Sequence, residues 1–296
     1  MERRMLGRTV LQVTSVCLGT SALGRAVGPL EILERALAGG VRFIDTANEY
    51  GAGASERLIG QLGRLGGLPP DTVVATKADP VDRGQEFSAA RVRRSFEESC
   101  ERLGVDRLGL FYLHDPQRYP FDRITGAKGA LEGMLALRQE GLVEHLGVAG
   151  GPVDELIRYV DTGLFDVVLN HNRYTLLDRS AEPLISRAAD RGLGFVNAAP
   201  FASGMLAKPP TARPTYQYRP PGPEIVARVA RWRQLCDDWG VSLSSTALQF
   251  GLRNPAVSAT VVGVSTVGQV ERLLEDVAEP IPEGFWSAAD GLPADP

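Results

Sequence analysis

Four residues with acid–base side chains stand at, or just after, the ends of short apolar runs. Asp45 closes FID, Tyr50 follows in TANEYG, Lys77 ends VVATK and His114 ends LFYLH. Burying an aspartate or a lysine is costly unless it is paired, and these two could pair with each other. We predict that Lys77, held charged by Asp45, lowers the pKa of Tyr50 from its usual value of about 10. We expect His114 to donate a hydrogen bond to a substrate oxygen, so the set predicts proton transfer at a carbonyl or hydroxyl carbon.

Taken singly, each of the four has a simpler explanation: a loop cap, a packing tyrosine, an exposed lysine or a structural histidine. Their order along successive strand ends favours catalysis, because catalytic side chains of parallel barrels come from the carboxyl ends of the strands.

Eight short apolar runs alternate with amphipathic stretches, as parallel strands alternate with helices. We predict an α/β fold, a single (β/α)8 (TIM) barrel domain over residues 1–296. The alternative, a doubly wound open sheet, usually carries GxGxxG after its first strand, and neither CLGTSALG nor GAGASE matches that motif. The predicted strands are Ser15–Gly19, Arg42–Asp45, Thr72–Thr76, Leu108–Leu113, His145–Val148, Phe165–Leu169, Gly194–Asn197 and Ala259–Val262.

Four segments add detail to the barrel. The pattern over Ser88–Leu103 predicts a helix capped by Ser88 and ended by Gly104. Met5–Val13 predicts a short hairpin before the first barrel strand. Phe201–Pro223, rich in proline, predicts a long loop. Glu283–Pro296 predicts a surface tail that folds back over something apolar through Phe285 and Trp286.

Composition excludes several classes of protein. The 296 residues are 44% hydrophobic and 23% charged, with a net charge of -4 and no basic stripe for nucleic acid. Three widely spaced cysteines predict free thiols and no metal site. MERRMLGRTV is not a signal peptide, and no apolar run reaches the roughly 18 residues of a membrane span. We expect a cytoplasmic protein that acts on a small molecule, without nucleic-acid or membrane partners.

Longer motifs resemble the aldo-keto reductase superfamily over about Leu6 to Asp276. GVRFIDTANEYGAGASERLIG is similar to its first signature, and ATK and RVRRSFEESCERLGVDRLGLFYLHDP are similar to its next landmarks. The resemblance implies hydride transfer between a nicotinamide cofactor and a carbonyl or hemiacetal carbon. It places the catalytic tetrad on Asp45, Tyr50, Lys77 and His114.

The resemblance also implies a cofactor site across the barrel mouth. Its residues would be Gly19, Thr20, Asp45, Asn170, Pro200, Phe201, Ser203, Gly204, Leu206, Gly263, Ser265, Thr266, Gln269 and Arg272. Backbone N–H groups at the helix that starts after GVST would suit a phosphate.

This sequence departs from the family pattern at several cofactor positions. Ala149, Gly150 and Gly151 replace a common Ser-Asn pair, and Ala198 replaces the tyrosine that stacks on the nicotinamide. The expected amide is Asn170, His171 or Asn172.

A further departure concerns the choice of cofactor. Gly263, Thr266 and Gln269 stand where relatives that bind NADP carry cations, so we predict NAD. NADP stays open, because Arg272 could reach a 2′-phosphate.

FDVVLNHNRYTLLDR, VNAAPFASGML and IPEGFW resemble a subgroup that contains L-fucose or D-threo-aldose 1-dehydrogenase, L-galactose dehydrogenase and pyridoxal 4-dehydrogenase. This resemblance implies NAD-dependent oxidation of an aldose hemiacetal to a lactone, with Tyr50 as the base. The alternatives are an NADPH-dependent reductase of small aldehydes or ketones, and a cofactor-binding regulatory subunit with little turnover. The predicted substrate contacts are Tyr50, His114, Asn48, Leu23, Tyr174 and Trp286.

Overall fold

Eight parallel strands close into a barrel in the computed structural model, which describes residues 1–80, 86–207, 214–217, 219–290 and 292. Strand β10 (Val257–Gly263) pairs with both β9 (Gly194–Ala198) and β3 (Val16–Gly19), and Thr260 lies opposite Val16 where the barrel closes. The predicted (β/α)8 barrel is confirmed, and the open-sheet alternative is wrong because no barrel strand is left at an edge. The barrel strands are β3 (Val16–Gly19), β4 (Phe43–Asp45), β5 (Val73–Ala78), β6 (Leu108–His114), β7 (Val143–Gly150), β8 (Val167–His171), β9 (Gly194–Ala198) and β10 (Val257–Gly263).

Helices surround the barrel, and an apolar layer separates them from the strands. The helix after β5 begins at Ala89 and ends at Leu103, with the Ser88 side chain accepting a hydrogen bond from the Arg91 N–H and Gly104 in the left-handed conformation. Both predicted ends of this helix are therefore confirmed. The helices are α1 (Pro29–Ala38), α2 (Ala54–Arg64), α3 (Ala89–Leu103), α4 (Phe121–Thr125), α5 (Ala130–Gln139), α6 (Val153–Asp161), α7 (Glu182–Asp190), α8 (Pro223–Trp239), α9 (Leu243–Arg253), α10 (Val267–Ala278) and α11 (Glu283–Ala289).

The predicted N-terminal hairpin consists of strands β1 (Arg3–Met5) and β2 (Gln12–Thr14) and covers the amino ends of the barrel strands. Arg4 donates to the carbonyl of Val257, where β10 begins. Gly7, between the two strands, has φ +59°, and a Cβ there would lie 2.0 Å from the Gly194 nitrogen. Only glycine fits this close approach. The hairpin lies at the end of the barrel opposite the four predicted catalytic residues.

The carboxyl ends of the strands carry unusual backbone conformations. Asp115 (φ 46°) follows β6, Asn172 (φ 64°) follows β8 and Ala199 (φ 61°) follows β9. Left-handed non-glycine residues are uncommon and cluster at functional sites. We therefore expect a functional site at this end of the barrel.

The C-terminal segment forms helix α11 and packs into a separate apolar cluster with α8 and α9. Phe285 is fully buried and Trp286 is 7% exposed, with their rings edge to face at 5.3 Å. Residues 283–290 therefore fold back over apolar residues, as predicted, while residues 291 and 293–296 of the predicted tail lie outside the described residues. The predicted loop Phe201–Pro223 begins with a 3₁₀ turn at Ala202–Gly204, and its residues 208–213 and 218 lie outside the described residues. No helix in the described part of the chain has the length and apolarity needed to cross a membrane.

Candidate active site

The four predicted catalytic residues meet in one cavity at the carboxyl ends of the strands. Asp45 ends β4, Lys77 lies in β5, His114 ends β6, and Tyr50 lies in the turn after β4. The cavity has a volume of about 310 Å³, and all four residues line it. We call it the catalytic cavity.

A chain of contacts orders three of these side chains. Lys77 Nζ donates to Asp45 Oδ1 at 2.6 Å and to the Thr46 carbonyl at 2.7 Å, and it lies 3.4 Å from Tyr50 Oη. Lys77 is 1% exposed and Asp45 is 4% exposed. A buried ion pair is tolerated when additional hydrogen bonds satisfy the charges, and here the carbonyl of Thr46 supplies one.

Burial and charge set the protonation states of this pair. Burial opposes the charged form of Lys77, but the charges of Asp45 and Tyr50 outweigh it and raise the lysine pKa above its usual value. Lys77 is therefore an ammonium at neutral pH. For Tyr50, burial is the largest cause and raises the phenol pKa, and the nearby ammonium of Lys77 only partly opposes it. The predicted lowering of the Tyr50 pKa is thus wrong, because loss of solvent outweighs the lysine charge.

The histidine has a partner that sequence reasoning missed. His114 Nδ1 lies 2.6 Å from Asp79 Oδ1, and Asp79 is 1% exposed. Asp79 Oδ2 accepts from the Glu49 N–H at 3.0 Å, and the Asp79 N–H donates to Ser95 Oγ at 3.1 Å. Burial disfavours the charged imidazole, yet the charge and hydrogen bond of Asp79 raise the pKa of His114 overall. The sequence held a signal for this, since Asp79 stands two residues after Lys77, the spacing that puts extended residues on one face.

A second cavity extends from the first and defines a cofactor groove. Its volume is about 420 Å³, and it shares Ala199 and Gly263 with the catalytic cavity. Of the residues predicted to bind cofactor, Gly19, Thr20, Asp45 and Gly263 line the catalytic cavity, while Pro200, Phe201, Ser203, Gly204, Gln269 and Arg272 line the groove. The groove reaches the N-terminal turn of α10 at Gln269, and the N-terminus of a helix favours an anion. Because the two cavities share Ala199 and Gly263, the predicted cofactor residues of both lie around one continuous site.

Four other residues predicted to bind cofactor line neither cavity. Leu206 is fully buried in the cluster under α8 and α11. Thr266 caps α10 by accepting from the Gln269 N–H, and the Ser265 N–H donates to Gln269 Oε1 at 2.7 Å. Asn170 donates to the carbonyls of Gly150 and Gly151, while its buried Oδ1 has no hydrogen-bond partner among the described residues. Leu206 therefore packs in an apolar cluster, Ser265 and Thr266 bond within the turn that begins α10, and Asn170 bonds to the chain at the end of β7.

Four residues predicted as substrate contacts do not line the catalytic cavity. Leu23 is fully buried in the layer between strands and helices, and Trp286 is buried under α8. Asn48 donates to the Ser95 carbonyl and to Glu98. Tyr174 packs on Phe250 with ring centroids 4.9 Å apart. Each side chain is held inside the fold, so of the predicted substrate contacts only Tyr50 and His114 line this cavity.

A third cavity, which we call the polar cavity, adjoins the catalytic cavity. It has a volume of about 380 Å³ and shares Asp115, Arg118 and His171 with the catalytic cavity. Apart from Gly151 and Pro152, its lining consists of polar or charged side chains: Asp115, Gln117, Arg118, His171, Asn172, Arg173 and Gln217. Arg118 pairs with Asp115, and Arg173 pairs with Asp178 at 3.3 Å.

Comparison with known proteins identifies the family of this protein. Residues 15–293 match the aldo/keto reductase family, and the chain belongs to that family. Aldo-keto reductase AKR11C1 from Bacillus halodurans shares the fold, with a TM-score of 0.82, 24% identity, and coverage of 99% of this chain and 96% of that one. The protein is therefore an NAD(P)-dependent oxidoreductase.

Individual relatives agree with the subgroup that the sequence motifs indicate. L-galactose dehydrogenase from Arabidopsis thaliana is 32% identical over 94% of this chain and 89% of that protein. Pyridoxal 4-dehydrogenase from Microbacterium luteolum is 30% identical over 98% of each chain. D-threo-aldose 1-dehydrogenase from a Pseudomonas species is 34% identical over 86% of this chain and 85% of that protein.

Proposed function

We propose that this protein oxidises the hemiacetal form of an aldose to a lactone with NAD, and that Asp45, Tyr50, Lys77 and His114 are its catalytic residues. The observation that carries this proposal is the contact of the Lys77 ammonium with both Asp45 and Tyr50 in a cavity that His114 also lines. Bound NAD supplies the carbon that accepts the hydride. The hydroxyl that loses its proton must come within hydrogen-bond reach of both Tyr50 and His114, whose rings lie edge to face with centroids 6.0 Å apart.

The proposed preference for NAD rests on the charges at the far end of the groove. The Arg272 guanidinium donates to Ser242 Oγ at 2.6 Å and lies 3.0 Å from Asp276 Oδ1. Asp276, which also lines the groove, is 2% exposed and accepts from Ser244 and Ser245. A dianionic 2′-phosphate at this end would meet a carboxylate and an arginine that is already paired, whereas a ribose hydroxyl could donate to that carboxylate.

The proposed sugar substrate rests on the polar cavity. A hemiacetal carbon bound beside Tyr50 would leave the rest of an aldose to extend past Asp115 and His171. The arginine–carboxylate pairs and amides there can donate to and accept from hydroxyl groups. Among the residues that the structure describes, proline is the sole apolar side chain lining this cavity, so a flat aromatic aldehyde would find little apolar surface on them. Two of the relatives above act on aldoses according to their names, which supports the same choice.

A screen of NAD reduction with aldoses and aromatic aldehydes at mildly alkaline pH tests the function. We expect turnover with aldoses, and loss of turnover in Tyr50→Phe with NAD affinity near normal. Tyr159→Phe is the control, because it removes the same hydroxyl from a buried tyrosine outside the cavity, and that hydroxyl has no hydrogen-bond partner among the described residues. Full activity of Tyr50→Phe would contradict the proposal. An absence of turnover with tight NAD binding would indicate a cofactor-binding regulatory subunit instead.

Arg173→Met tests the sugar site within the polar cavity. We expect KM for the preferred aldose to rise about tenfold, because one lost hydrogen bond to a charged group is worth roughly 1.5 kcal/mol. Reduction of a two-carbon aldehyde by NADH, which does not need the polar cavity, should be unchanged. Arg187→Met is the control, since Arg187 also pairs with an aspartate, Asp161 at 3.4 Å, but lies on α7 away from the cavity. Equal losses with both substrates would contradict the assignment of the polar cavity.

A further inference from the structure

His171 lies where the catalytic cavity meets the polar cavity. It is the last residue of β8, and its side chain lines both cavities, as do those of Asp115 and Arg118. The side chain is 31% exposed, so part of the ring faces the space that a substrate would occupy. A molecule held beside Tyr50 that extends into the polar cavity therefore comes close to this ring.

Hydrogen bonding determines which ring nitrogen of His171 has a proton to donate. The side-chain amide nitrogen of Asn172 lies 3.0 Å from Nδ1, and because an amide nitrogen only donates, Nδ1 is the acceptor. In the neutral ring the proton is then on Nε2, since the bond made by one nitrogen decides the state of the other. Nε2 lies 3.8 Å from Asp115 Oδ1, which is longer than an ordinary N–H···O hydrogen bond. A hydroxyl oxygen next to both atoms can accept from Nε2 and donate to Asp115.

The carboxylate of Asp115 is held in a fixed position beside this ring. The backbone of Asp115 is left-handed (φ 46°), its Oδ2 pairs with Arg118, and its Oδ1 accepts from Gln117 Nε2 at 3.1 Å. Each carboxylate oxygen has a second lone pair, so both still accept from a hydroxyl. A fixed donor and a fixed acceptor side by side match a group that both accepts and donates, as a sugar hydroxyl does.

Two consecutive glycines leave room for this arrangement. A Cβ on Gly151 would lie 2.9 Å from His171 Cε1, and a Cβ on Gly150 would lie 2.6 Å from Gln117 Oε1. Neither glycine has a positive φ, so the backbone there tolerates other residues and the requirement for glycine is one of space. Asn170 donates to the carbonyls of both glycines, which holds this backbone in place. The structure thus gives a reason for the departure from the family pattern at these two positions.

We propose that His171 is a specificity-determining residue, which donates a hydrogen bond from Nε2 to one hydroxyl of the aldose while that hydroxyl donates in turn to Asp115. Gly151 contributes by leaving space for the ring. This inference rests on the proposed function and names the groups that recognise the sugar. A deoxy sugar or an epimer without this hydroxyl leaves both a donor and a carboxylate without their partner, and such sites discriminate strongly against the analogue.

Deoxy sugars test the proposed hydrogen bond. The D- and L-forms of glucose, galactose, mannose, arabinose and xylose are assayed for NAD reduction, and the best substrate is compared with its monodeoxy analogues. In His171→Ala we expect kcat/KM for the parent aldose to fall about tenfold, close to the upper end for one neutral hydrogen bond. The loss should appear in KM rather than kcat, because the contact is already present in the bound substrate. His171→Gln keeps an N–H donor and should restore part of the loss.

One analogue should behave differently from the others. For the deoxy sugar that lacks the recognised hydroxyl, we expect the wild type to be already as slow as the variant, so His171→Ala should cause no further loss. For the remaining analogues His171→Ala should lower kcat/KM by the same factor as for the parent aldose. This coupling between one side chain and one hydroxyl is the result that a merely structural role for His171 would not give.

Gly151→Ala displaces the ring of His171 without removing it. We expect the loss in kcat/KM to match that of His171→Ala, and the double variant to be no slower than either, because both changes act through the same ring. Gly109→Ala is the control for a glycine of the barrel strands, since a Cβ there meets no atom of the described residues within 4 Å. His145→Ala is the control for a histidine near an aspartate, because its Nδ1 lies 3.9 Å from Asp166 Oδ2 and the residue is near the amino end of β7. Both controls should keep the wild-type kcat/KM.

Two results would overturn this inference and leave aldose oxidation intact. If His171→Ala slows the parent aldose and every analogue by one factor, the ring shapes the cavity without bonding to a hydroxyl. If His171→Ala changes no value of kcat/KM, the side chain does not contact the sugar. If no aldose of the panel is oxidised, the proposed function fails and this inference fails with it. Thermal unfolding of each variant verifies that it is folded at the assay temperature.

Discussion

Replacing Lys77 by methionine separates the catalytic role of this lysine from its structural role. The change leaves the Asp45 carboxylate 4% exposed with no ammonium beside it. Breaking a buried ion pair by removing one partner costs roughly 3–5 kcal/mol of stability, because the remaining charge stays desolvated. In Lys77→Met/Asp45→Asn both charges are gone, so we expect most of that loss to be recovered. Thermal or urea unfolding of the wild type, both single variants and the double variant measures this cycle.

The loss of activity should follow a different pattern from the loss of stability. Lys77 Nζ lies 3.4 Å from Tyr50 Oη, and at an effective dielectric constant of about 20 a full negative charge there is stabilised by about 5 kcal/mol. If half of that charge develops on the phenol oxygen or on the substrate oxygen bonded to it, the loss is about 2.5 kcal/mol. We therefore expect kcat to fall roughly 100-fold in Lys77→Met and to stay low in the double variant.

Steady-state kinetics at saturating NAD, measured at least 15 °C below the melting temperature of each variant, tests this prediction. Recovery of both stability and kcat in the double variant would show that Lys77 acts only by neutralising Asp45. Retention of kcat in the single variant would show that no charge develops near Tyr50. Either result would refute the role that we assign to the lysine.

Three other predictions follow from the described contacts. Tyr50→Phe should abolish aldose oxidation while the NAD dissociation constant, followed by intrinsic fluorescence, stays within about threefold of the wild type. We expect kcat/KM of the wild type to be higher with NAD than with NADP. Asp276→Asn should reduce the ratio of the two values, because it removes a charge that opposes the 2′-phosphate. A tenfold or greater preference of the wild type for NADP would contradict this prediction. Trp286→Ala should destabilise the fold by about 3–5 kcal/mol, because the ring is buried in the α8–α11 cluster, and should leave KM for the aldose unchanged. A large rise in KM at a temperature where this variant is folded would return Trp286 to the substrate site.

The sequence alone predicted the barrel and the four side chains that meet in one cavity at its carboxyl end. Buried parallel strands must be short and apolar, so the predicted runs fall on the observed strands with ends that differ by no more than two residues. Ser88 and Gly104 fixed the ends of α3 because capping depends on local chemistry. Asp45, Tyr50, Lys77 and His114 could be placed together because the carboxyl ends of successive parallel strands lie at one end of a barrel.

The tertiary structure decided what each side chain contacts. Leu23, Tyr174 and Trp286 were predicted to contact the substrate because of their positions in the sequence. Packing buries all three away from the catalytic cavity. The protonation of Tyr50 depends on how much water is removed around it, which no local pattern encodes. The bond between Asp79 and His114 joins residues 35 positions apart, and a shift of one residue in the pairing of β5 with β6 would turn one of them to the other face.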